Sequence, residues 1–395
     1  MNILYLTNHL NIGGITSYVL SLATGLKKRG HNIYVASSGG QLLPKFIEEG
    51  INYICIPIKT KQEVSPKILA SMLKLKAALK SEHIDIIHSN SRTTQVLGYL
   101  FSQKTGVPHI FTCHGFFKKR FFRKLFPCWG RKTIAISESV KEHLIKDLGV
   151  KEEDISVVHN GIDVEKFKRT TPAKNLGGSA MCCGGNQEER PPKILAGPPC
   201  VVAETTKESF GLGEGPVVGI VARLSDVKGH IYLIEAMKDV LEKVPQAQLL
   251  IVGEGKMEKV LVRLSERLGI KKNVFLIPSI SQTMDVLSIM DVFVMPSLKE
   301  GLGLALMEAM ASGLAVIGSD VGGIKSLIQN GYNGLLVRPA DSKDLAAAIL
   351  ELLQNPERVQ SLGNSARVFI AKNFSLEKMI SETEEVYKKC VSPRL

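Results

Sequence analysis

The 395-residue chain has no run of the ~18 uninterrupted apolar residues that a membrane-spanning helix needs. No basic stretch precedes its first predicted strand, so we expect no signal peptide. Its seven cysteines are odd in number and irregularly spaced, which argues against a disulfide framework. Apolar residues make up 44% and charged residues 22%, as in globular proteins. These features predict a cytoplasmic globular protein with two or three hydrophobic cores.

The first glycine pair of the chain does not match the common nucleotide-binding motifs. Gly13 and Gly14 lie between a predicted strand, Asn2–Thr7, and a predicted helix, Ile15–Arg29. The loop lacks the Gly-x-Gly-x-x-Gly spacing, and no Lys-Ser or Lys-Thr follows it, so a nicotinamide site and a P-loop are both disfavoured. A tight turn is the simpler interpretation of the two glycines.

The net charge of +12 is concentrated in the first half of the chain. Residues 1–168 carry 24 Lys and Arg against 13 Asp and Glu, whereas residues 169–395 carry 26 against 25. This asymmetry indicates a negatively charged partner for the first half. A membrane surface, a phosphorylated acceptor and a nucleic acid all fit the charge alone.

Predicted strands and helices alternate along most of the chain, which is the pattern of doubly wound α/β domains. The strands are short apolar runs, and the helices carry apolar residues every three or four positions. We expect four parts: an N-terminal Rossmann-like domain over 1–168, a linker over 169–212, a C-terminal Rossmann-like domain over 213–374 and a closing helix within 375–395.

Residues 175–203 interrupt the alternation. They hold five Gly, four Pro and three Cys with no apolar period, which indicates a loosely packed insertion. Cys182, Cys183 and Cys200 have no fourth ligand and no nearby His, so we expect no zinc site. The sequence assigns this insertion no function.

The most informative stretch of the chain is Glu300–Gly313. It follows an apolar run, Asp291–Ser297, that is predicted to be a buried strand. Gly301 and Gly303 then open a predicted helix. Uncovered backbone N–H groups and the positive end of the helix dipole favour a phosphate at such a point.

Two carboxylates stand eight residues apart in this stretch. If the helix begins near Leu302, Glu300 lies in the preceding loop and Glu308 about two turns inside the helix. Glu308 has apolar neighbours on both sides, where a carboxylate needs hydrogen-bonding partners.

With its flanks, this arrangement resembles the signature of the GT-B retaining glycosyltransferases of family 4. The two glutamates stand within Glu-Gly-Leu-Gly and Met-Glu-Ala-Met-Ala-Ser-Gly, after Pro296 and Ser297. The resemblance rests on six segments in the right order and covers nearly the whole chain apart from the insertion. It implies two Rossmann-like domains facing across a cleft, with the closing helix packed on the first. It also implies that a sugar is transferred with retention from a nucleotide diphosphate, UDP-sugars being common donors among the relatives.

The resemblance also implies roles for individual residues. Glu300 would face the reacting sugar, and His114, after the predicted strand 108–113, would contact it. Glu308 would hold the ribose hydroxyls. The donor-binding set that the resemblance implies is Arg223, Lys228, Gly301, Leu302, Gly303, Leu304, Glu308, Gly13 and Gly14. No Asp-x-Asp occurs in the chain, so a metal bridging the diphosphate is not suggested, and we expect no cofactor.

A basic aromatic segment follows His114. On a helix, its aromatic side would carry Phe117, Phe121, Phe122 and Phe126. Its cations are Lys118, Lys119, Arg120, Arg123 and Lys124. Such a segment suits an anionic membrane interface, and with it a lipid-linked or cell-envelope glycan acceptor. A helix that buries its phenylalanines in the domain core explains the same pattern, and both interpretations stay open.

Two other functions explain part of the sequence. A GT-B nucleotide-sugar epimerase would share the diphosphate site but would leave the basic aromatic segment without a purpose. A nucleic-acid-binding protein would explain the charge, but not Arg223, Lys228, Glu300 and Glu308. We therefore expect a nucleotide-sugar donor and a glycan or lipid-linked acceptor as partners, and no nucleic acid.

Overall fold

The computed structural model describes residues 1–60, 62, 65–117, 126–167, 206–280 and 282–391. Packing divides the chain into two compact units. The first comprises Met1–Asp163, Glu300–Leu302 and Asn373–Leu395, and the second comprises Val164–Lys299 and Gly303–Lys372.

The first unit is built on a parallel sheet in the order β3-β2-β1-β4-β5-β6-β7. Its strands are β1 Asn2–Leu6, β2 Asn32–Ser37, β3 Asn52–Cys55, β4 Ile86–Ser89, β5 His109–Cys113, β6 Lys132–Ala135 and β7 Ile155–Val157. Its helices before residue 163 are α1 Gly14–Lys28, α2 Leu43–Glu48, α3 Pro66–Ala78, α4 Arg92–Thr105 and α5 Glu138–Leu148. The central strands are almost entirely buried because helices cover both faces of the sheet, and β4 and β5 also carry buried polar residues such as His88 and Thr112.

Local signals explain where these helices begin and end. The hydroxyl oxygens of Ser65 and Ser137 accept backbone N–H bonds at the starts of α3 and α5. Helices α4 and α5 end at Gly106 and Gly149, both in the left-handed conformation that glycine adopts at helix ends.

The second unit is a parallel sheet in the order β10-β9-β8-β11-β12-β13. Its strands are β8 Val217–Val221, β9 Gln248–Val252, β10 Val274–Ile277, β11 Val292–Met295, β12 Ala315–Ser319 and β13 Leu335–Val337. Its helices are α6 His230–Lys243, α7 Glu258–Arg267, α8 Thr283–Leu287, α9 Leu304–Ala311, α10 Ile324–Leu327, α11 Ser342–Leu353 and α12 Pro356–Asn373.

The last helix, α13 Leu376–Val391, packs against α1 in the first unit. Arg29 donates to Glu384 at 2.6 Å on the surface of this contact. In its interior, the hydroxyl of Tyr387 lies 2.8 Å from that of Tyr5 and 2.5 Å from Nδ1 of His88. The closing helix is therefore held by an apolar seam and by a buried polar cluster.

The predicted fold class is confirmed: both units are parallel α/β sheets with helices packed on them. One local prediction was wrong. The helix expected near Leu302 begins at Leu304, because Gly303 adopts φ 99° and is the N-cap of α9. Glu308 consequently lies just over one turn into the helix, rather than two. Within the described ranges, no helix is long and apolar enough to cross a membrane.

Candidate functional site

The second sheet has a topological switch point between β8 and β11, where the order of its strands reverses. Strand β8 is followed in the sheet by β9 and β10 on one side, whereas β11 to β13 extend on the other. In open parallel sheets, ligands bind outside the carboxyl ends of the strands at such a switch point. The loop with Arg223 and Lys228 leaves β8 here, and the loop that leads to Gly303 leaves β11.

These two loops contact each other directly. The backbone N–H of Leu298 donates to the carbonyl of Val227 at 2.8 Å. Gly229 adopts φ 70°, and a Cβ atom at this position would lie 1.9 Å from the carbonyl oxygen of Pro296. Only glycine satisfies both the backbone angle and this close approach. The distance between the two loops is thus set by direct backbone contacts.

The two cations of the first loop have different settings. Arg223 lies two residues beyond the end of β8, and its side chain is exposed. Lys228 is partly buried at the end of a short 3₁₀ turn, Asp226–Lys228. A guanidinium can bind a phosphate bidentately, whereas an ammonium acts as a point charge.

Helix α9 provides a second source of positive potential. Its N-cap, Gly303, accepts the backbone N–H of Met307 at 3.0 Å. The N–H groups of Leu304 and the next residues have no carbonyl acceptor within the helix, as in every first turn. An anion at this point would meet these donors and the positive end of the helix dipole.

Glu308 is the ionisable group of α9. Its neighbours Met307, Ala309 and Met310 are fully buried, and Glu308 itself is partly exposed. Desolvation raises the pKa of its carboxyl group to about 7, and a hydrogen bond from Thr283 offsets only part of this effect. A carboxyl in this setting gains from hydroxyl donors that a ligand supplies.

The first sheet has its own switch point, between β1 and β4. Gly13 is the N-cap of α1 and Gly14 its first residue, so both lie where the loop that leaves β1 enters α1. His114 directly follows β5, the strand beside β4. The structure thus places all three predicted residues at the carboxyl edge of this sheet.

His114 is held by contacts with two other elements. Its Nε2 lies 3.2 Å from Oδ1 of Asn90, and its ring meets the ring of Tyr18 edge to face with centroids 4.7 Å apart. Burial lowers the pKa of His114 to about 3. The imidazole is therefore neutral at physiological pH.

Within the first unit, the short segment Glu300–Leu302 contacts the surroundings of His114. Ser137 donates its hydroxyl to the carbonyl of Gly301 at 2.6 Å. A Cβ atom at Gly301 would lie 3.1 Å from the carbonyl oxygen of His114. The side chain of Glu300 is partly exposed. The two residues predicted to face the sugar thus belong to one packed neighbourhood.

Two polar residues near these loops were not predicted from the sequence. Asn90 follows β4 and is 1% exposed, so its side chain is fully enclosed. His230 begins α6 directly after the glycine of the first loop. Among the described residues, neither ring nitrogen of His230 has a hydrogen-bond partner, and burial lowers its pKa to about 4. Their positions after a strand and a loop glycine were the available signals.

Most of the predicted basic aromatic segment lies outside the described residues. Lys118, Lys119, Arg120, Arg123 and Lys124 lie outside the described residues. At its edges, Phe117 is partly buried and stacks on Phe111, and Phe126 is 59% exposed. The insertion over 175–203 also lies outside the described residues.

Comparisons with protein families match both halves of the chain. Residues 202–369 match the family model for glycosyl transferases group 1, and residues 12–166 match the model for glycosyltransferase family 4. A UDP-Gal:alpha-D-GlcNAc-diphosphoundecaprenol alpha-1,3-galactosyltransferase of Escherichia coli is 28% identical, over 87% of this chain and 86% of its own. The capsular polysaccharide biosynthesis glycosyltransferase CapM of Staphylococcus aureus is 26% identical, over 92% of this chain and 91% of its own.

Solved structures show the same fold. The Anabaena protein HepE, in complex with UDP and glucose, superimposes with a TM-score of 0.80 at 20% identity and covers 98% of this chain and 100% of its own. WaaG, a glycosyltransferase involved in lipopolysaccharide biosynthesis, superimposes with a TM-score of 0.71 at 16% identity and covers 99% and 100%.

Proposed function

From the premise that this chain belongs to the group 1 glycosyltransferases and has their GT-B fold, we propose that it transfers a sugar from a UDP-sugar to an acceptor hydroxyl with retention. The observation that supports binding of the nucleotide-sugar donor is the contact between two loops at the switch point of the second sheet. One loop carries Arg223 and Lys228, and the other opens α9 with its free amides and Glu308.

The diphosphate would bind to Arg223, Lys228 and the first amides of α9. When the bond between sugar and diphosphate breaks, negative charge develops on the leaving diphosphate. Fixed cations and oriented N–H groups stabilise that charge more than the ground state, which is what accelerates the reaction. No proton has to move at this point for the effect to operate.

The ribose would bind to Glu308. A carboxylate accepts hydrogen bonds from two neighbouring hydroxyls, and desolvation raises the pKa of Glu308 to about 7 although Thr283 donates to it. A ribose supplies such donors. The two equilibria are linked: ionisation of Glu308 should increase the affinity for the nucleoside, and nucleoside binding should lower the pKa of Glu308.

The reacting sugar would contact Glu300 and His114. A neutral imidazole offers one donor and one acceptor nitrogen, which suits sugar hydroxyls and adds no charge beside a developing oxocarbenium. Glu300, directly before the glycine loop of α9, would supply negative charge next to that cation. Retention follows from the resemblance to family 4 rather than from the geometry of these residues.

The names of the relatives favour the donor and the acceptor class. The Escherichia coli relative is named for UDP-Gal and a diphosphoundecaprenol-linked acceptor, and HepE was solved with UDP and glucose. CapM is named for capsular polysaccharide. We therefore assign a UDP-sugar as donor and a lipid-linked glycan of the cell envelope as acceptor.

A thermal-shift panel with UDP, GDP, ADP and CDP tests the donor first, because a bound nucleotide raises the melting temperature by mass action. UDP should give the largest shift. Incubation with UDP-glucose, UDP-galactose or their N-acetyl forms and a polyprenyl-diphosphate sugar should then yield a product whose anomeric configuration, read by NMR, matches that of the donor. Inversion would contradict retention, and epimerised UDP-sugar formed without acceptor would support the epimerase.

A further inference from the structure

Helix α3 presents an unusual outer face. Its inner residues Ile68, Met72 and Leu75 are buried in the core, as its amphipathic pattern requires. On the outside, however, Leu69 is 57% exposed and Leu73 is 61% exposed. The two leucines are four residues apart, so they are neighbours on one side of the helix.

Cations surround these exposed leucines. Residues 66–80 contain four lysines and no Asp or Glu. Lys76 continues the row of Leu69 and Leu73, and Lys80 lies in the turn that follows α3. Lys74 lies on the adjacent row with two exposed alanines. Lys74 also lines an open groove of about 640 Å³ between α3 and the edge strand β3. The charged residues within 66–80 are thus all basic and surround an apolar patch, while the acidic Glu82 lies beyond them on the rim of the same groove.

We propose that this outer face, defined as Leu69, Leu73, Lys74, Lys76 and Lys80, docks on the surface of an anionic lipid bilayer. Exposed leucines enter the boundary between headgroups and acyl chains, while the lysines beside them meet lipid phosphates. An apolar protein partner would not require four lysines within residues 66–80. The net positive charge of residues 1–168 adds long-range attraction to the same surface.

The proposal locates a membrane contact on described residues, separate from the basic aromatic segment at Lys118–Lys124. It deepens the proposed function, because a lipid-linked acceptor would be reached from the bilayer surface. The tests below use no nucleotide and no acceptor. Their failure would therefore leave the donor proposal untouched, and failure of the donor tests would leave this one untouched.

A local fluorescent reporter gives the sharpest test. The chain has one tryptophan, Trp129, so L73W in a W129F background carries a single reporter on α3. Vesicles of phosphatidylglycerol with brominated acyl chains should quench L73W strongly, and brominated phosphatidylcholine vesicles should not. The control is V368W in the same background, because Val368 is 64% exposed in the second unit. Equal quenching of both reporters, or no quenching of L73W, would overturn the proposal.

Charge and apolar contributions can be separated by variants at exposed sites. K74S/K76S/K80S and L69S/L73S should each reduce sedimentation with anionic vesicles at least fivefold relative to the wild type. The matched control K238S/K243S/K259S removes three exposed lysines of the second unit and should bind like the wild type. Melting curves verify folding. Unchanged binding of both α3 variants would refute the assignment, and so would a dimer in lipid-free buffer that L69S/L73S abolishes.

Discussion

The Nε2 atom of His114 lies 3.2 Å from the side-chain oxygen of Asn90. The amide nitrogen of Asn90 is directed to the carbonyl of His88 at 3.5 Å, which leaves the oxygen facing the imidazole. Nε2 therefore carries the proton and donates it, and Nδ1 is the acceptor nitrogen. Asn90 thus selects the tautomer of His114 and does so without adding charge.

Replacing Asn90 with Asp should make the function of His114 depend on pH. A carboxylate next to Nε2 favours the imidazolium and should raise the pKa of His114 by about 1–3 from its present value of about 3. The other titratable groups around this ring, Tyr18 and His88, are neutral, because burial raises the pKa of Tyr18 to about 12 and lowers that of His88. The ratio of kcat for N90D to wild type should fall as the pH decreases from 8 to 5.

An NMR titration of the His114 ring provides a readout that does not depend on activity. The wild type should keep the Nε2-protonated tautomer throughout, and N90D should show a protonation step absent from the wild type. The control N90S removes the oxygen contact without adding charge, and its kcat should not acquire the new pH dependence. A flat kcat ratio combined with a clear NMR step would show that the protonation state of His114 does not matter for transfer.

The two glutamates of the α9 region should respond differently to the same substitution. E300Q should leave UDP affinity nearly unchanged and lower turnover on the order of 10²-fold or more, the typical effect of losing one electrostatic group at the reacting centre. E308Q should instead weaken UDP binding, because an amide accepts fewer hydroxyl hydrogen bonds than a carboxylate. Calorimetry and a transfer assay measure the two effects. The reverse pattern would exchange the two assignments.

Removing either cation of the β8 loop should affect the diphosphate more than the nucleoside. R223A and K228A should each weaken UDP binding on the order of 1.5–3 kcal/mol, the range for hydrogen bonds to charged groups. UMP should lose less, because it lacks the second phosphate. Calorimetry of both ligands measures the difference, and K243A, at the far end of α6, is the control for an exposed cation of the second unit. Equal losses of binding free energy for UMP and UDP would mean that these side chains do not contact the second phosphate.

Much of the fold could be predicted because most of the buried strands are short continuous apolar runs. Strand β8 is one of them, and recognising it placed Arg223 and Lys228 in the loop that follows. The start of α9 was predicted two residues too early. The deciding factor was the left-handed backbone of Gly303, and composition alone did not distinguish it from Gly301.

The supporting contacts could not be predicted, because they join residues that are distant in the sequence. Asn90 and His114 follow two different strands, and Tyr5 contacts Tyr387, which is 382 positions away in the sequence. Each is an ordinary polar residue next to an apolar run, with no periodicity that indicates a partner. Only the packing of the strands and of α13 makes them a cluster.

The desolvated carboxyl of Glu308 should make the ligand-free protein less stable at high pH. The pKa of this group is about 7 in the folded protein, above its ordinary value of 4.5. Between these two values, the folded state retains a proton that the unfolded state releases, so stability falls as the pH rises from 4.5 to 7 and the loss is complete above 7. From the difference in pKa, the loss is up to roughly 3 kcal/mol.

E308Q removes this ionisable group and should therefore be more stable than the wild type at pH 8, with the difference disappearing toward pH 5. Denaturant titrations of both proteins at pH 5, 6.5 and 8 measure it, and E300Q is the matched control, since it changes an equivalent charge outside the buried helix. Saturating UDP should narrow the gap at pH 8, because the ribose hydroxyls stabilise the ionised carboxylate of the wild type. If the free energies of unfolding of E308Q and the wild type differ by the same amount at every pH, desolvation does not raise the pKa of Glu308 toward 7. In that case the ribose would need another acceptor.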